Sequence, residues 1–186
     1  MAKRQIVAIR PVYPSPAALI TSVAADGSPN IVTLGECFNV SIRRPVIMGI
    51  AIRTATYSHG LIRRQGEFVI NLPTAALVEK VDAVGMVSGR NCDKFEEIGL
   101  TPLPALKVAP PLIAECPVNL ECRVLSEQAV GDHQLFLGEV LVQHVDEDKL
   151  RADGRPDPQK VDMLIFAEDA YFSAGRMLGR LGMSRR

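Results

Sequence analysis

The stretch Glu115-Cys-Pro-Val-Asn-Leu-Glu-Cys-Arg-Val124 decides the fold of this chain, because its apolar and polar residues alternate almost one by one. Successive side chains of a β-strand point to opposite faces, so the alternation predicts a strand with one apolar face and one polar face. A turn at Gly131-Asp132-His133 leads into a long apolar stretch, 135–145, which predicts the returning strand of an antiparallel hairpin. The apolar face comprises Cys116, Val118, Leu120, Cys122 and Val124, and the polar face comprises Glu115, Asn119, Glu121 and Arg123.

Four further strands are expected from their apolar and β-branched composition. The first ends in Asp26-Gly27, a strong hairpin signal, so the second is expected to return antiparallel to it. The second begins just after Pro29, and proline suits the start or the edge of a sheet because it donates no hydrogen bond. The predicted ranges are 17–25, 31–38, 45–52 and 163–166.

Three short helices are predicted between these strands, each with a polar residue at its start and a glycine at or near its end. Six or more strands with antiparallel hairpins favour a single mainly β domain over residues 1–186, a barrel with helices packed outside. A dinucleotide-binding fold is disfavoured, because no G-x-G-x-x-G follows a strand. The predicted helices cover 54–65, 74–84 and 91–98.

The bulk composition argues against two kinds of partner. The 21 basic and 21 acidic side chains cancel, so there is no electrostatic case for binding nucleic acid or an acidic membrane surface. No apolar run approaches the length of about 20 residues that crosses a bilayer, and the first residues do not resemble a secretory signal, so a cytoplasmic protein is expected. The cysteines lack zinc-site or redox-pair spacing and are expected to be small core residues: Cys37, Cys92, Cys116 and Cys122.

Residues 88–95, Ser-Gly-Arg-Asn-Cys-Asp-Lys-Phe, form a candidate anion site. Ser88, a flexible glycine and Arg90 lead into the predicted third helix, and backbone N–H groups at a helix start attract anions. Arg90 and Lys94 are one helical turn apart and would direct two cations the same way, towards a phosphate. A solvated loop with a helix cap is an equally good interpretation of this octet taken alone.

A second candidate is Arg53-Thr54-Ala55-Thr56, which lies where a buried strand is expected to end and a helix to begin. Two hydroxyls and a cation at a helix N-terminus are the groups that a phosphate site requires. Taken alone, the segment is better explained by a helix cap at Thr54 and a solvated Arg53. Together with Ser88, Arg90 and Lys94, it would supply enough positive charge to neutralise a phosphate.

Two weaker signals complete the set of candidate residues. Asn30 and Thr33 are polar residues in an apolar strand region, where exposed backbone could bond a planar heterocycle, although a polar strand end is the simpler explanation. His133, at the turn of the long hairpin, either contacts a ligand or is merely exposed. The three histidines are too scattered for a metal site, and no serine has the G-x-S-x-G setting of an acyl-transfer enzyme.

In combination, these stretches resemble the flavin reductase-like family and, within it, the flavoredoxin branch of FMN-binding split-barrel proteins. The matching stretches run in family order across about residues 10–145, which is most of the chain. They are Pro16-Ala-Ala-Leu-Ile-Thr-Ser22, Asp26-Gly-Ser-Pro-Asn-Ile-Val-Thr33, Thr56-Tyr-Ser58, Gly66-Glu-Phe-Val-Ile-Asn-Leu-Pro73, the octet 88–95 and Gly131-Asp-His133.

The resemblance implies a mainly β, six-stranded antiparallel Greek-key split barrel with a few flanking helices. Such proteins bind FMN, usually as a homodimer with the flavin near the subunit interface. By position, Asn30 and Thr33 would approach the flavin ring or its ribityl chain, and His133 would lie at the cofactor. The phosphate would be bound by Arg53, Thr54 and Thr56, with Ser88, Arg90 and Lys94 nearby.

Two aromatic positions follow from the same resemblance. An aromatic residue of the C-terminal segment, assigned here to Phe172, is expected to line the site. Relatives carry a tryptophan about where Glu36 stands, whereas this chain contains no tryptophan. Ring stacking on that side is therefore expected to differ.

The activity implied is that of an NAD(P)H-dependent flavin reductase, in which NADH or NADPH passes hydride to flavin N5 and an acceptor takes the electrons. This chemistry needs no catalytic side chain and no metal, because the protein supplies placement and hydrogen bonds. Two alternatives stay open. One is a flavoredoxin-like electron carrier with tightly bound FMN and a redox partner protein, and the other is a flavin-free barrel whose loops serve only dimerisation.

Overall fold

The computed structural model describes residues 3–8 and 14–185, which form an antiparallel barrel with helices outside. No helix within those ranges is long and apolar enough to cross a membrane. The α-helices are α1 (Tyr57–Gln65), α2 (Val78–Met86), α3 (Lys94–Ile98) and α4 (Pro158–Val161). The strands are β1 (Ser15–Pro16), β2 (Ala18–Val23), β3 (Pro29–Leu34), β4 (Cys37–Ser41), β5 (Ile47–Arg53), β6 (Glu67–Leu72), β7 (Pro102–Leu103), β8 (Leu112–Ile113), β9 (Val118–Val130), β10 (His133–Val145), β11 (Ile165–Ala167) and β12 (Ala170–Phe172).

Seven strands form one sheet in the order β3-β2-β6-β9-β10-β5-β4, and every neighbouring pair is antiparallel. The edge strands β3 and β4 are consecutive in the chain and are joined only by Gly35 and Glu36. The sheet must therefore curl until its edges approach each other, although β3 and β4 do not pair. The expected mainly β antiparallel barrel is confirmed, with seven strands in its sheet instead of six.

The predicted long hairpin is formed by β9 and β10, which pair along their whole length with two irregularities in register. Gly131 has a φ of 59°, a conformation that glycine adopts without strain, and this permits the tight turn at Gly131-Asp132. Strand β10 also pairs with β5, with His133 opposite Arg53. The hairpin turn and the end of β5 therefore lie together at one end of the barrel.

Alternate residues of the strands fill the barrel interior, as the pattern at 115–124 predicts. Val118, Leu120 and Cys122 of β9 belong to this core, together with Phe68 and Phe136, the largest fully buried side chains. A second cluster lies outside the barrel, where α2 and α3 cover β2 and β3. The cover formed by α2 and α3 brings residues of both helices next to the edge strand β3.

The cysteines are free thiols, of which Cys37, Cys116 and Cys122 are buried and Cys92 is half-buried. Burial raises the pKa of Cys37 to about 12, so this thiol stays protonated and behaves as a small apolar group. The assignment of Cys116 to the apolar face of the strand was wrong, because Cys116 precedes β9 and packs in the outer cluster.

Two residues of the predicted polar face, Asn119 and Glu121, are buried. The segment 101–113 covers them, and the N–H groups of Leu106 and Lys107 donate to the Glu121 carboxylate at 2.8 and 2.6 Å. The alternation predicts in which direction these side chains point, but it contains no information about a distant segment that covers them.

All three predicted helices form, and α1 and α3 end at the predicted residues 65 and 98, but the first residues of all three helices differ from the prediction. Helix α1 begins three residues later than position 54, because Thr56 is its N-cap. A 3-10 turn, Ala75–Leu77, precedes α2, and Gly85 lies inside α2 instead of ending it. Helix α3 begins at Lys94, three residues after the predicted start, because Asp93 caps it.

The stretch predicted as one strand at 31–38 forms two, β3 and β4, because the chain crosses there from one edge of the sheet to the other. The predicted strands 17–25 and 45–52 correspond to β2 and β5. The last predicted strand, 163–166, is β11, which pairs with β1 and with β12. Strand β6, which lies between β2 and β9, was not predicted, and neither were the strands of two or three residues, β1, β7, β8 and β12.

Candidate functional site

A cavity of about 570 Å³ runs along the free edge of β3. Within residues 3–8 and 14–185, strand β3 pairs only with β2. Residues from both faces of β3, including Val32 and Thr33, line the cavity. The unpaired backbone groups of an edge strand can bond a ligand that lies beside it. The volume falls within the range of about 300–1,000 Å³ that small-molecule sites occupy.

Most residues predicted for a ligand site line this cavity, and two do not. Thr54 lies in the exposed turn before α1, and the side chain of Phe172 is also exposed, on β12. The residues that the fold brings together are Asn30, Thr33, Arg53, Thr56, Ser88, Arg90, Lys94 and His133.

The turn that follows β5 is organised by Thr56. Its hydroxyl donates to the carbonyl oxygen of Arg53 at 2.9 Å and accepts from the N–H of His59 at 3.3 Å, so it closes the turn and caps α1. The prediction that Thr54 caps this helix was therefore wrong by two residues. Arg53 and Thr56 line the cavity at this turn.

Arg90 joins the loop at 88–92 to this turn. Its guanidinium donates to the carbonyl oxygen of Ala55 at 3.4 Å and lies over the ring of Tyr57, 5.4 Å from the ring centroid. The two segments that the sequence nominated for a phosphate, 35 positions apart, are thus in direct contact.

Asn30 is buried in the cavity wall with one polar atom unsatisfied. Its amide nitrogen donates to the hydroxyl of Ser58 at 2.7 Å, whereas its Oδ1 has no hydrogen-bond partner within the described residues. The backbone of Gly89 lies so close that a Cβ there would overlap Oδ1. A buried acceptor without a donor is unfavourable, and a ligand with an N–H or O–H group would satisfy it.

Lys94 is a cation in the cavity wall that is only 5% exposed. Its Nζ donates to the carbonyl oxygen of Val84 at 2.7 Å, and no described carboxylate forms an ion pair with it. Burial lowers the pKa of this ammonium. An ammonium has three donors, so Lys94 keeps donors that an anion in the cavity could use.

The helix N-terminus beside Lys94 does not serve an anion. The Asp93 carboxylate accepts from the N–H groups of Phe95 and Glu96 at 2.9 and 3.3 Å, so it occupies the position that an anion would take. The prediction that the N–H groups of a helix start attract the anion at the octet 88–95 was therefore wrong. The octet contributes the positive charges of Arg90 and Lys94 to the cavity wall instead.

Arg53 and His133 reach the cavity from the barrel end where β5 and β10 pair. His133 Nδ1 lies 2.7 Å from Asp132, and Arg53 Nε lies 3.9 Å from the same carboxylate. The His133 hydrogen bond holds the pKa of Asp132 below its usual range. Arg53 is largely exposed, so its charge is screened by water more strongly than that of Lys94.

Besides Tyr57, the cavity wall contains two aromatic residues that the sequence did not nominate, Phe166 of β11 and Tyr171 of β12. The predicted aromatic residue was Phe172, one position further on. Successive strand residues point to opposite faces, so a one-residue difference decides which side chain meets the cavity. The pairing of β11 with β12, which places Tyr171 opposite Phe166, would have identified Tyr171. Strands of three residues are too short for the sequence to reveal this pairing.

The cavity wall therefore combines positive charge, an unsatisfied acceptor and an aromatic surface. Among the described lining residues, the cations are Arg53, Arg90 and Lys94, and the carboxylate is Glu36. Such a wall suits an elongated anionic molecule with a planar part.

Comparison with known proteins agrees with this description. Residues 10–175 match the model of the flavin reductase like domain. The structure is similar to that of the flavoredoxin of Desulfovibrio vulgaris (Miyazaki F), with a TM-score of 0.92, 33% identity and 100% of each chain covered. It is also similar to a flavoredoxin from Methanosarcina acetivorans, with a TM-score of 0.88, 27% identity and coverage of 98% of this chain and 97% of that one. An uncharacterised protein of Archaeoglobus fulgidus is 41% identical over 78% of this chain and 79% of its own length.

These matches cover nearly the whole described fold, including the edge strand and the loops that enclose the cavity. The resemblance predicted from the ordered sequence stretches is confirmed, and the chain belongs to the flavin reductase-like family.

Proposed function

We propose that the cavity binds FMN and that the protein is a flavin oxidoreductase of the NAD(P)H-dependent flavin reductase type. Lys94 carries this proposal, because an anionic ligand would stabilise a nearly buried ammonium that has no described carboxylate partner. The unsatisfied Oδ1 of Asn30 is a second independent fit, since FMN carries N–H and hydroxyl donors. The match to the family model supports the choice of a flavin.

In this proposal the phosphate lies near the turn at 53–56. Ser88 would donate its hydroxyl to the phosphate, while Thr56, whose hydroxyl donates to the carbonyl oxygen of Arg53, would hold the turn in place. Arg90 and Lys94 would neutralise the phosphate charge, with Arg53 at the exposed rim. Asn30 and Thr33 would bond the ribityl chain or the ring, and His133 would lie at the cofactor. Thr54 and Phe172 are left out, because they do not line the cavity.

When bound, FMN would supply the redox chemistry, accepting hydride at N5 from NADH or NADPH and passing electrons on to an acceptor. The residues of the chain place the ligand and exclude water. The Thr33 hydroxyl donates to the Val81 carbonyl oxygen at 2.7 Å, which fixes α2 against the edge strand. No side chain in this arrangement has to move a proton.

A flavoredoxin-like electron carrier is the alternative function. The flavoredoxins of Desulfovibrio vulgaris and Methanosarcina acetivorans favour it, because these two similar structures both carry that name. A carrier would hold the same FMN tightly, would receive electrons from a partner protein and would not oxidise NADH or NADPH directly.

A homodimer is proposed as the assembled form. The second edge strand, β4, exposes Phe38 and Val40, and Ile42 follows just beyond it with 80% of its surface exposed. Exposed apolar residues on an unpaired strand edge are unfavourable in an isolated monomer. A second copy would cover them.

The visible absorption spectrum of the purified protein tests the proposal, followed by anaerobic addition of NADH and then NADPH. A flavin spectrum that bleaches within seconds supports the reductase and identifies its donor. A flavin spectrum that persists supports the carrier. A colourless protein that takes up no added FMN contradicts both and favours a flavin-free barrel.

A further inference from the structure

Phe166 and Tyr171 form an aromatic pair in the cavity wall that the proposed phosphate contacts do not use. They are partners in the register of β11 and β12, and their ring centroids are 5.4 Å apart with an interplanar angle of 58°. A tilted pair of this kind is a stable apolar surface on which a planar ring can pack.

This aromatic pair lies towards the opposite end of the edge strand from Asn30. Strand β11 pairs with β1, and the N–H of Ala17 donates to the carbonyl oxygen of Leu164 at 3.1 Å, just before β2 begins. At this start of β2, Ala18 pairs with Leu34 of β3. Four residues of strand separate Leu34 from Asn30, which is roughly 13 Å.

Tyr171 is held in place by Asp82 of α2. Its hydroxyl donates to Asp82 Oδ1 at 3.1 Å, so the phenolic oxygen can only accept further hydrogen bonds. Burial, and then the neighbouring carboxylate, raises the pKa of Tyr171 and keeps the phenol neutral. The same helix accepts hydrogen bonds from Thr33 and Lys94, through the carbonyl oxygens of Val81 and Val84.

We propose that Phe166 and Tyr171 are the ring-contact residues of this cavity and that Asp82 is the positioning residue that fixes the Tyr171 phenol. A bound flavin would then lie along β3, with its phosphate near Arg90 and its ring against Tyr171. The inference rests on the proposed FMN binding, and it assigns the aromatic contact that the chain cannot make with tryptophan, since it has none.

The binding of two ligands, FMN and riboflavin, distinguishes contacts at one end of the cavity from contacts at the other. Riboflavin has the ring and ribityl chain of FMN without the phosphate, so it reports on the ring end alone. We expect Tyr171→Leu to weaken the binding of both FMN and riboflavin by about tenfold, because base-like rings lose comparable affinity when an aromatic platform is removed. Arg90→Ala is expected to weaken FMN binding and to leave riboflavin binding within twofold of the parent.

Three further variants control for the aromatic surface. Tyr171→Phe keeps the ring, so its affinity for riboflavin is expected to stay within threefold of the parent. The riboflavin affinity of Asp82→Ala is expected to lie between those of Tyr171→Phe and Tyr171→Leu. Phe172→Leu changes the exposed neighbour and is expected to have no effect. Dissociation constants are measured by quenching of flavin fluorescence, and circular dichroism checks that each variant is folded.

A Tyr171→Leu variant whose affinity for riboflavin stays within twofold of the parent overturns the inference, whether or not its affinity for FMN falls. If Tyr171→Leu does not fold, competition on the parent protein decides: lumiflavin, the ring without its ribityl chain, must displace riboflavin. Failure to compete overturns the inference. A parent protein that binds neither FMN nor riboflavin contradicts the proposed function itself. A parent that binds FMN, together with a Tyr171→Leu variant of unchanged flavin affinity, contradicts only the assignment of the ring contact.

Discussion

The molecule buries a carboxylate and an ammonium in two different surroundings. Glu121 of β9 is fully buried and accepts from the N–H groups of Leu106 and Lys107, while His144 Nε2 lies 2.7 Å away. Lys94 is almost as buried, and within the described residues its Nζ donates only to the Val84 carbonyl oxygen. Glu121 has its partners within the chain, and Lys94 does not.

The pKa shifts describe the same difference. Burial alone would raise the pKa of Glu121, but the hydrogen bonds from Leu106, His144 and Lys107 lower it overall, so the fold favours the charged form. For Lys94, burial lowers the pKa, so the fold disfavours the charged form. A satisfied buried charge stabilises the fold, whereas an unsatisfied one marks a place where a ligand supplies the missing partner.

The largest expected effect is that of Glu121→Ala on stability. It leaves the two backbone N–H groups and His144 without an acceptor, so the free energy of unfolding is expected to fall by about 3 kcal/mol. FMN affinity is expected to stay within twofold of the parent. Urea denaturation measures the change, and Glu115→Ala is the matched control, since the half-exposed Glu115 also accepts from a backbone N–H, that of Thr101. Equal losses in the two variants would contradict the comparison.

Lys94→Met is expected to do the reverse, leaving the fold intact and weakening FMN binding by about 1.5–3 kcal/mol, which is roughly tenfold or more. Titration of FMN fluorescence measures the affinity. Lys80→Met is the matched control, because Lys80 also donates to a backbone carbonyl oxygen, that of Gly99 at 2.6 Å, but does not line the cavity. An unchanged affinity in Lys94→Met would remove the main support for a phosphate ligand.

The stability of the ligand-free protein is expected to depend on pH through Lys94. Its pKa in the folded state lies below the ordinary value of 10.5, so between the two values the unfolded chain binds more protons than the folded one. Stability therefore rises as the pH rises through this window, and Lys94→Met should lack that rise. Urea denaturation of both proteins across alkaline pH measures the effect, and parallel profiles would show that Lys94 is better solvated than its burial indicates.

Gly89→Ala is expected to weaken FMN binding by about 1–2 kcal/mol, because the new Cβ overlaps Asn30 Oδ1 and forces the amide away from Ser58. Gly60→Ala is the control. Gly60 lies within α1 with open space around it, so alanine there should raise stability by about 0.5–1 kcal/mol and leave binding unchanged. FMN titration and thermal unfolding of both variants test this pair. Equal FMN affinity in Gly89→Ala and the parent would mean that the Asn30 amide does not contact the ligand.

The smallest expected effect is that of Arg53→Ala, a loss of less than about 1 kcal/mol in FMN binding. Its side chain is 69% exposed and already faces Asp132, so water and that carboxylate weaken its attraction for an anion. Raising the salt concentration should reduce this effect further, whereas the effect of Lys94→Met should persist. A loss as large as that of Lys94→Met would place the phosphate at the rim.

Much of the fold could be predicted from short-range patterns. The alternation predicted at 115–124 identified β9, which begins at Val118, and Asp26-Gly27 identified the first hairpin, because strand direction and turn type depend on neighbouring residues. The helix starts were less accurate, since Thr54 and Thr56 are equally plausible caps in the sequence and only the turn after β5 selects Thr56. Short polar segments of the sequence nominated the residues of the candidate site, and the resemblance to a known family assigned their roles and added Phe172.

The sequence by itself therefore determined the strands of the main sheet except β6, the long hairpin and the set of polar residues from which a site could be built. The tertiary structure alone decided which of them meet: Arg90 contacts the turn at 53–56, Tyr171 faces the cavity in place of Phe172, and Asp93 occupies the helix start. It also decided that Glu121 finds its partners while Lys94 does not. Periodicity is a local property of the chain, whereas these contacts join segments that only the path of the backbone through the barrel brings together.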